Sequence, residues 1–580
     1  MHRSPVAFVI IALVALPAAG RGAVLLATPS DYQSRIKDLK PGDTLELAAG
    51  TYTQGLSITG QNGAADAWIT VRGPATGAPA TFVAKAGRNT IEIKNSSYVA
   101  IQHLTVDAKH KAGLFGLSAK DGASNLVHHV RVEDCAFINH DGSQQTSAIS
   151  TKTPTWAWEI RRNVIRDAGT GMYLGNSDGS QPFIGGVIEN NLVVDPLGYC
   201  IQVKYQKPRP DHPGIPTGVS QTLIRHNVLI KNDKEGPDGV RTNLLVGGFP
   251  GSGPGKDDLY QIYGNFIFNN PFDALIQASG RVVIHDNILV GAANTALVLR
   301  DHDLPLKVAR VYNNTIYGGA KGISVGNTPA VSQVVGNLIF AKTGISGNIA
   351  DKRANLVASV DQASSYVVAP SLTLGKMSFY PLPGKCEGPA IDSTVMQTDA
   401  DHDRDFDGNL KGAWTFRGAY AASDAGPRWA LGETIKEIKD SAPVDTADAA
   451  SDAADAGAGP RPNADTGADA AGAAAADDAS SGGGGGCSAG GARGGGGLGW
   501  LLLGGLGLAV LWIRRRVRSA RAAILFEDDP GTTSTGHDRL AARVSSPHPS
   551  CLLREQGGAV GRGGIPFKPR RRAARFHQHA

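Results

Sequence analysis

The side chains best suited to chemistry cluster in the middle of the chain. Lys204, Lys207, Arg209 and His212 share one stretch, Lys204-Tyr-Gln-Lys-Pro-Arg-Pro-Asp-His-Pro213. Arg241 closes a second, Lys234-Glu-Gly-Pro-Asp-Gly-Val-Arg241, and a Gly-rich run, 247–258, follows. Tyr173, Tyr199 and Tyr205 are interleaved with these cations. Guanidinium groups pair with carboxylates through a fixed fork, and tyrosine rings offer flat apolar faces. The mixture suits an acidic sugar polymer, with Tyr173, Tyr199, Tyr205, Lys207 and His212 expected to hold it. A lysine among other cations loses its proton more readily, and as a free amine it can act as a base. Beside a neutralised carboxylate such a base removes the adjacent carbon-bound proton, the first event of β-elimination. Lys204 is the candidate base, and Arg209 and Arg241 are the candidate assistants. The bland alternative is a set of solvated loops with ordinary basic residues.

These loops interrupt a repeat that must position them. An aliphatic residue, two variable residues, Asn, one residue and a second aliphatic recur at Ile160/Asn163/Ile165, Ile188/Asn191/Val193, Ile224/Asn227/Leu229 and Ile262/Asn265/Ile267. The series continues at Ile284/Asn287/Leu289, Val311/Asn314/Ile316 and Val334/Asn337/Ile339. Two earlier units, Ile101/Leu104/Val106 and Val132/Cys135/Phe137, keep the aliphatics without the Asn. Successive centres lie 31, 28, 28, 36, 38, 22, 27 and 23 residues apart. A shortest period of 22 residues, with strands too short and close for a βαβ unit, predicts an all-β solenoid: a right-handed parallel β-helix of about ten or more coils. The Asn is expected at a tight corner, tolerating the left-handed conformation and pairing its amide with the next coil. The intervals of 36 and 38 flank Asn227 and hold the cationic stretches, so insertions there are expected to present the site.

The segments Pro41-Gly-Asp-Thr-Leu-Glu-Leu-Ala-Ala-Gly-Thr-Tyr52 and Trp68-Ile-Thr-Val-Arg-Gly73 resemble the opening of pectin-lyase-like β-helices. Asp31 to Leu39 is then expected to be the N-terminal cap, and Arg35-Ile-Lys37, similar to a fragment of the polygalacturonase motif, falls within it. Asp401-His-Asp-Arg-Asp-Phe-Asp-Gly408 with Gly418-Ala-Tyr420 resembles the closing motif of that superfamily. Ile201-Gln-Val-Lys204 resembles the lysine strand of the chondroitinase B and alginate lyase family. That resemblance implies Lys204 as base, an arginine on the next coil as assistant, and calcium held by acids just before the lysine. Leu197, Gly198, Tyr199 and Cys200 include no acid, and Gly247 and Gly248 stand where an Arg-His pair is expected, which leaves Arg241 or Arg209 as substitutes. No cofactor is expected. Weak Ca²⁺ binding at Asp403-x-Asp-x-Asp-Gly408 is the exception considered, although Trp414 replaces the Glu that would complete such a loop. The paired aspartates of a glycosidase are not evident on adjacent coils.

The ends of the chain read differently. Residues 1–23, with His2 and Arg3 before an apolar run from Val6 to Leu16, form an expected export signal. Residues 24–430 are the expected β-helix domain. Residues 431–497 are an expected disordered Ala/Asp/Gly-rich linker, whose 441–486 portion holds eight Asp against one Arg. Residues 498–513 are an expected short transmembrane helix, followed by Arg514-Arg-Arg516 and a basic tail, 514–580. Cys487, the apolar run and the Arg cluster together resemble the myxobacterial-type sorting tail, which implies display at the cell surface. The net charge of +5 combines +9 on residues 514–580, −7 on 441–486, +1 at Arg493 and only +2 on residues 1–440, so nucleic-acid binding is not expected. Five cysteines without a CxxC pair lead to the expectation of no zinc site, and Cys135 and Cys200 are expected as small buried hydrophobes. Three readings stay open for the resulting monomer: a lyase on acidic glycans, a non-catalytic glycan-binding or adhesin-like solenoid, and a structural envelope protein.

Overall fold

The computed structural model describes residues 22–437, apart from 123, 328 and 422–425. The expected export signal (residues 1–21 of it), apolar segment and basic tail, and the linker beyond Glu437, lie outside these. Among the described residues no helix is long and apolar enough to cross a membrane.

The repeat winds as expected. Ile160, Ile188, Ile224, Ile262, Ile284, Val311 and Val334 stand in one parallel register on successive coils. Ile165, Val193, Leu229, Ile267, Leu289, Ile316 and Ile339 form a second such line, and all fourteen side chains are fully buried. Three parallel sheets result. The first has thirteen strands in its main run, from Val24–Ala27 to Asp351–Arg353. The second has twelve, from Gly50–Tyr52 to Leu356–Ala358, and the third eleven, from Leu56–Thr59 to Thr343–Gly347. Each coil visits them in that order. Tyr32, Ile36 and Leu39 of the short N-terminal helical segment pack into the core and close its first end. Cys135 and Cys200 are free and buried, and burial pushes both thiols up to about 12.

The asparagines stack at the corner between the first and second sheets. Asn163 donates its backbone N–H and its Nδ2–H to Oδ1 of Asn191, both at 3.0 Å, and a further Nδ2–H to the Val132 carbonyl at 2.8 Å. The pattern repeats from Asn191 through Asn227, Asn265, Asn287, Asn314 and Asn337 to Asn355, one unit beyond the sequence repeat. One expectation is corrected. The left-handed residue is the one before each Asn: Arg162, Asn190, His226, Asp286, Asn313 and Ala354 have φ of 49–55°, Gly264 and Gly336 complete the row, and Asp134, before Cys135, extends it. The turn is made one residue earlier, which frees the Asn to face inward and bond upward.

The chain after Ala358 folds back over the outside. Phe379, Tyr380, Phe406, Tyr420, Trp429 and Leu431 cover the apolar outer row of the second sheet, including Val228, Phe266, Ile288 and Phe340. Ile391, Met396 and Trp414 cover Val283, Tyr312 and Val335 of the first. Packing continues past Ala430, because Leu431 and Lys436 are buried. Asp405 spends one carboxylate oxygen on the N–H groups of Asp407 and Asn409 and the other on that of Ala421, while Asp407 accepts from Arg428. The Asp-rich segment is thus a closing turn. Among the described residues no group of three or more His, Cys, Asp or Glu side chains is placed to hold a metal.

Aromatic residues also climb the outside of the first sheet near its start. His129 stacks on Tyr98 at 4.4 Å and His128 on Trp156 at 4.2 Å, and the two Nδ1 atoms lie 2.7 Å apart. Burial holds both imidazoles down to about 4, helped at His128 by its neighbour.

Two outcomes are expected. Asn227→Ala strips the acceptor from two donors of Asn191 and the donor from the Ile188 carbonyl, and should cost about 3 kcal/mol in urea unfolding. A change within experimental error would show that the ladder is not needed. Because the unfolded imidazoles take up protons near their ordinary 6.5 and the folded ones only near 4, stability should fall as pH drops through that window. Thermal melts of a His128→Gln, His129→Gln double variant should show a flatter acid limb, and an unchanged limb would contradict this.

Candidate functional site

With the second sheet and part of the first covered, the third sheet keeps an outward face for a ligand. Its strands alternate, so Ile149, Met172, Ile201, Leu244 and Ile276 point into the core, and Ser150, Tyr173, Gln202, Leu245 and Gln277 point out in one register line. The position two residues after each outward one forms a second outward column.

Four of those positions are lysines. Ile91-x-x-Lys94, Leu117-x-x-Lys120, Ile149-x-x-Lys152 and Ile201-x-x-Lys204 share one frame. Lys94 pairs with Asp121, and Lys120 with Glu92. Lys152 and Lys204 are two coils apart, with Gly175 between them. A Cβ on Gly175 would lie 3.3 Å from that of Lys204, and its φ of +92° also favours glycine, so the gap between the two lysines is built into the backbone. The Lys152 Nζ sits 3.6 Å from the centre of the Tyr173 ring, with no hydrogen-bond acceptor or carboxylate partner among the described residues. The Lys204 Nζ lies 3.9 Å from Asp303 and 5.3 Å from the centre of the Tyr205 ring.

The electrostatics follow from this half-buried setting. Burial brings Lys152 down to about 8, nearby Lys204 pushes the same way, and Asp178 opposes them. Lys204 is lowered by burial against the pull of Asp303. Tyr173 is pushed up to about 12, and Tyr199 and Tyr205 are raised, in each case chiefly by burial. The tyrosines are therefore neutral donors at neutral pH, and the titratable bases are the lysines.

The insertions flank this floor from two sides. Residues 204–220 and 247–258 leave the third sheet toward the first, whereas 231–243 enters it from the second. Arg241 accordingly lies with Tyr199 on the entering side, its guanidinium 6.0 Å from that ring and bonded to the carbonyls of Val240 and Asp238. Lys204, Tyr205, Tyr173 and Lys152 gather toward the leaving side. Arg209 is placed differently from the sequence expectation. Its side chain is buried inside its own loop, paired with Asp258 and bonded to the carbonyls of Pro216 and Gly218. It is a strut that cannot face a ligand without unfolding the loop. Lys207 and His212 are exposed, Lys207 held through its backbone to Gly179 and His212 folded onto the Pro213 carbonyl, and neither pairs with the floor.

The glycines standing at the expected Arg-His positions have a packing reason. A Cβ on Gly247 would lie 2.2 Å from the Tyr205 nitrogen, and one on Gly248 2.6 Å from the Leu304 Cβ. Gly247 lets the Lys204–Tyr205 backbone pass close by, and Gly248 admits the 300–307 loop, which brings His302 and Asp303 to the site. Lys152, His302 and Asp303 were missed by sequence reasoning. The aliphatic-x-x-Lys frame was the available signal for Lys152, whereas Asp303 arrives from a loop three coils later in the third sheet.

The chain is structurally similar to pectate lyase and to family 6 alginate lyases, and its three parallel sheets are those of a right-handed parallel β-helix. Pectate lyase Pel9A is 14% identical with a TM-score of 0.37, over 72% of this chain and 97% of that one. The family 6 alginate lyase AlyGC is 16% identical with a TM-score of 0.36, over 58% of this chain and 51% of that one. A mannuronic acid-specific family 6 lyase from human gut microbiota is 12% identical with a TM-score of 0.27, over 59% of this chain and 84% of that one. No family model matches the sequence, and no curated protein matches it.

Removing the Arg209 charge should expose its structural work. Arg209→Met leaves Asp258 buried without its partner, a loss of about 3 kcal/mol. Hydrogen exchange across residues 205–219 should accelerate at least about tenfold. Unchanged exchange would mean that the loop does not depend on this pair.

Proposed function

We propose that the protein binds an acidic polysaccharide along the outward face of the third sheet and cleaves it by β-elimination at the Lys152–Lys204 pair. The observation that carries this is the Lys152 amino group, half-buried against Tyr173 with neither carboxylate nor acceptor beside it among the described residues. Burial without an anionic partner favours the neutral amine, the form in which a lysine acts as a base. Two lysines on one ridge offer a charge for the uronate carboxylate and an amine for the neighbouring proton. Tyr173, Tyr199 and Tyr205 supply ring faces and hydroxyl donors for the sugars, with Arg241 at the entering edge. Arg209 is taken up by its buried ion pair and is left out of the proposed contacts, while Lys207 and His212, exposed on the same insertion, are kept as outer contacts. Export and surface anchoring through the C-terminal segments place such a protein where polysaccharide is met, and belong to the same proposal.

A non-catalytic acidic-glycan binder is the second reading, favoured by Gly247 and Gly248, which leave no cation beside Lys204 on the following coil. Purified protein incubated with alginate, pectate or chondroitin should release unsaturated uronate products, and a Lys152→Ala, Lys204→Ala double variant should lose at least about a thousandfold in kcat/KM. Full activity in that variant would remove the pair from the mechanism. Salt-sensitive binding by the wild type without any product, lost in the variant, would establish the binder instead.

A further inference from the structure

The two lysines are not equivalent, and their surroundings assign them different work. We infer that Lys152 is the base and that Lys204, held as an ammonium by Asp303, is the clamp on the substrate carboxylate. This rests on the lyase reading of the site and reverses the role that the resemblance to chondroitinase B and alginate lyases implies for Lys204.

The assignment comes from what faces each group. Lys204 faces Asp303 and His302 of the 300–307 loop and the Tyr205 ring of its own loop. A carboxylate at 3.9 Å favours the charged lysine. Asp303 is held there by its loop: it has a left-handed φ of 59°, His302 and Leu304 bond each other through the backbone, and Leu304 fills the space that Gly248 leaves. His302 lies 3.8 Å from the same carboxylate, and burial lowers its pKa, so at neutral pH it leaves the anion to Lys204. Lys152 faces the Tyr173 ring, the like charge of Lys204 and the more distant Asp178. Of the two, it is the lysine without an ion pair, and it is the one lowered to about 8. At neutral pH a usable fraction of Lys152 is therefore free amine, while the Asp303 carboxylate favours the charged form of Lys204.

In the reaction so assigned, Lys204 neutralises the uronate carboxylate, which acidifies the proton on the adjacent carbon. The Lys152 amine takes that proton. The electrons of the broken C–H bond form the new carbon–carbon double bond, and the bond from the next carbon to the bridging oxygen breaks with its pair. The departing oxygen collects a proton from solvent, and Lys152 returns its own to solvent. No oxidant, reductant or co-reactant is required.

Two charge-conserving swaps separate the roles, because an arginine cannot become a neutral base. Lys152→Arg should keep binding of uronate oligomers and lose at least about a thousandfold in kcat, whereas Lys204→Arg should stay within about tenfold of wild type. The reverse pattern overturns the assignment. A second measurement does not depend on turnover. Competitive labelling of the whole protein with trace acetic anhydride, followed by peptide mass spectrometry across neutral to alkaline pH, reads each amine directly. Lys152 should titrate at lower pH than Lys204, and Asp303→Asn should bring Lys204 down toward Lys152. Equal titration, or no movement of Lys204 in that variant, overturns the inference. A wild-type protein without turnover would sink the lyase reading, and with it the role of base, while the labelling order would still decide which lysine carries the charge.

Discussion

From Asn163 to Asn355, each coil of this protein turns the corner between the first and second sheets on one inward amide. The asparagine there cannot reach water, so its donors and acceptor must be met by the coils on either side. Because one Oδ1 takes both the backbone and the side-chain N–H of the preceding Asn, each coil fixes the height and rotation of the next. The aliphatic lines only require burial and would tolerate slippage along the axis. The amide row does not. Register is thereby propagated from Cys135, whose N–H bonds Asn163, to Asn355 on the final, partial coil.

That rigidity is what makes a site possible on loops. Lys152 and Lys204 belong to coils with another coil between them, yet they fall in one column because both strands keep the same phase. Insertions can then vary without disturbing the floor. Residues 204–220 are held by a buried Arg209–Asp258 pair, by Gln206, which bonds the carbonyls of Gly248 and Phe183, and by the backbone contact of Lys207 with Gly179. The C-terminal arm buries the outer apolar row of the second sheet under aromatics, which leaves polar and aromatic groups of the third sheet to meet a ligand.

The fold was legible in the sequence because its signal is periodic. Ile, Asn and a second aliphatic recur at fixed offsets, and burial of the aliphatics at those positions follows from strand alternation. The conformation of the corner was misassigned to the Asn itself, since left-handed residues there include Arg162, His226 and Asp286, whose types give no warning. The site was legible in part. Lys204 and the three tyrosines stand out as unusual residues on a strand or at its end. Arg209 was drawn in for its charge, which the structure spends inside the loop, because sequence distance between Arg209 and Asp258 hides their contact. Lys152 looks ordinary until the third-sheet strands are aligned by their inward aliphatics. Asp303 is brought in only because a distant loop packs over Gly248.

The central claim is that the outward face of the third sheet is where an acidic polysaccharide lies. Hydroxyl-radical footprinting of the whole protein, with and without uronate oligomers, tests it most directly by reading protection at individual side chains. The account predicts protection of Tyr173, Tyr199 and Tyr205, with no change at Trp68 and Tyr98 on the first sheet. Protection confined to that aromatic ridge, or none at the three tyrosines under saturating ligand, would contradict it.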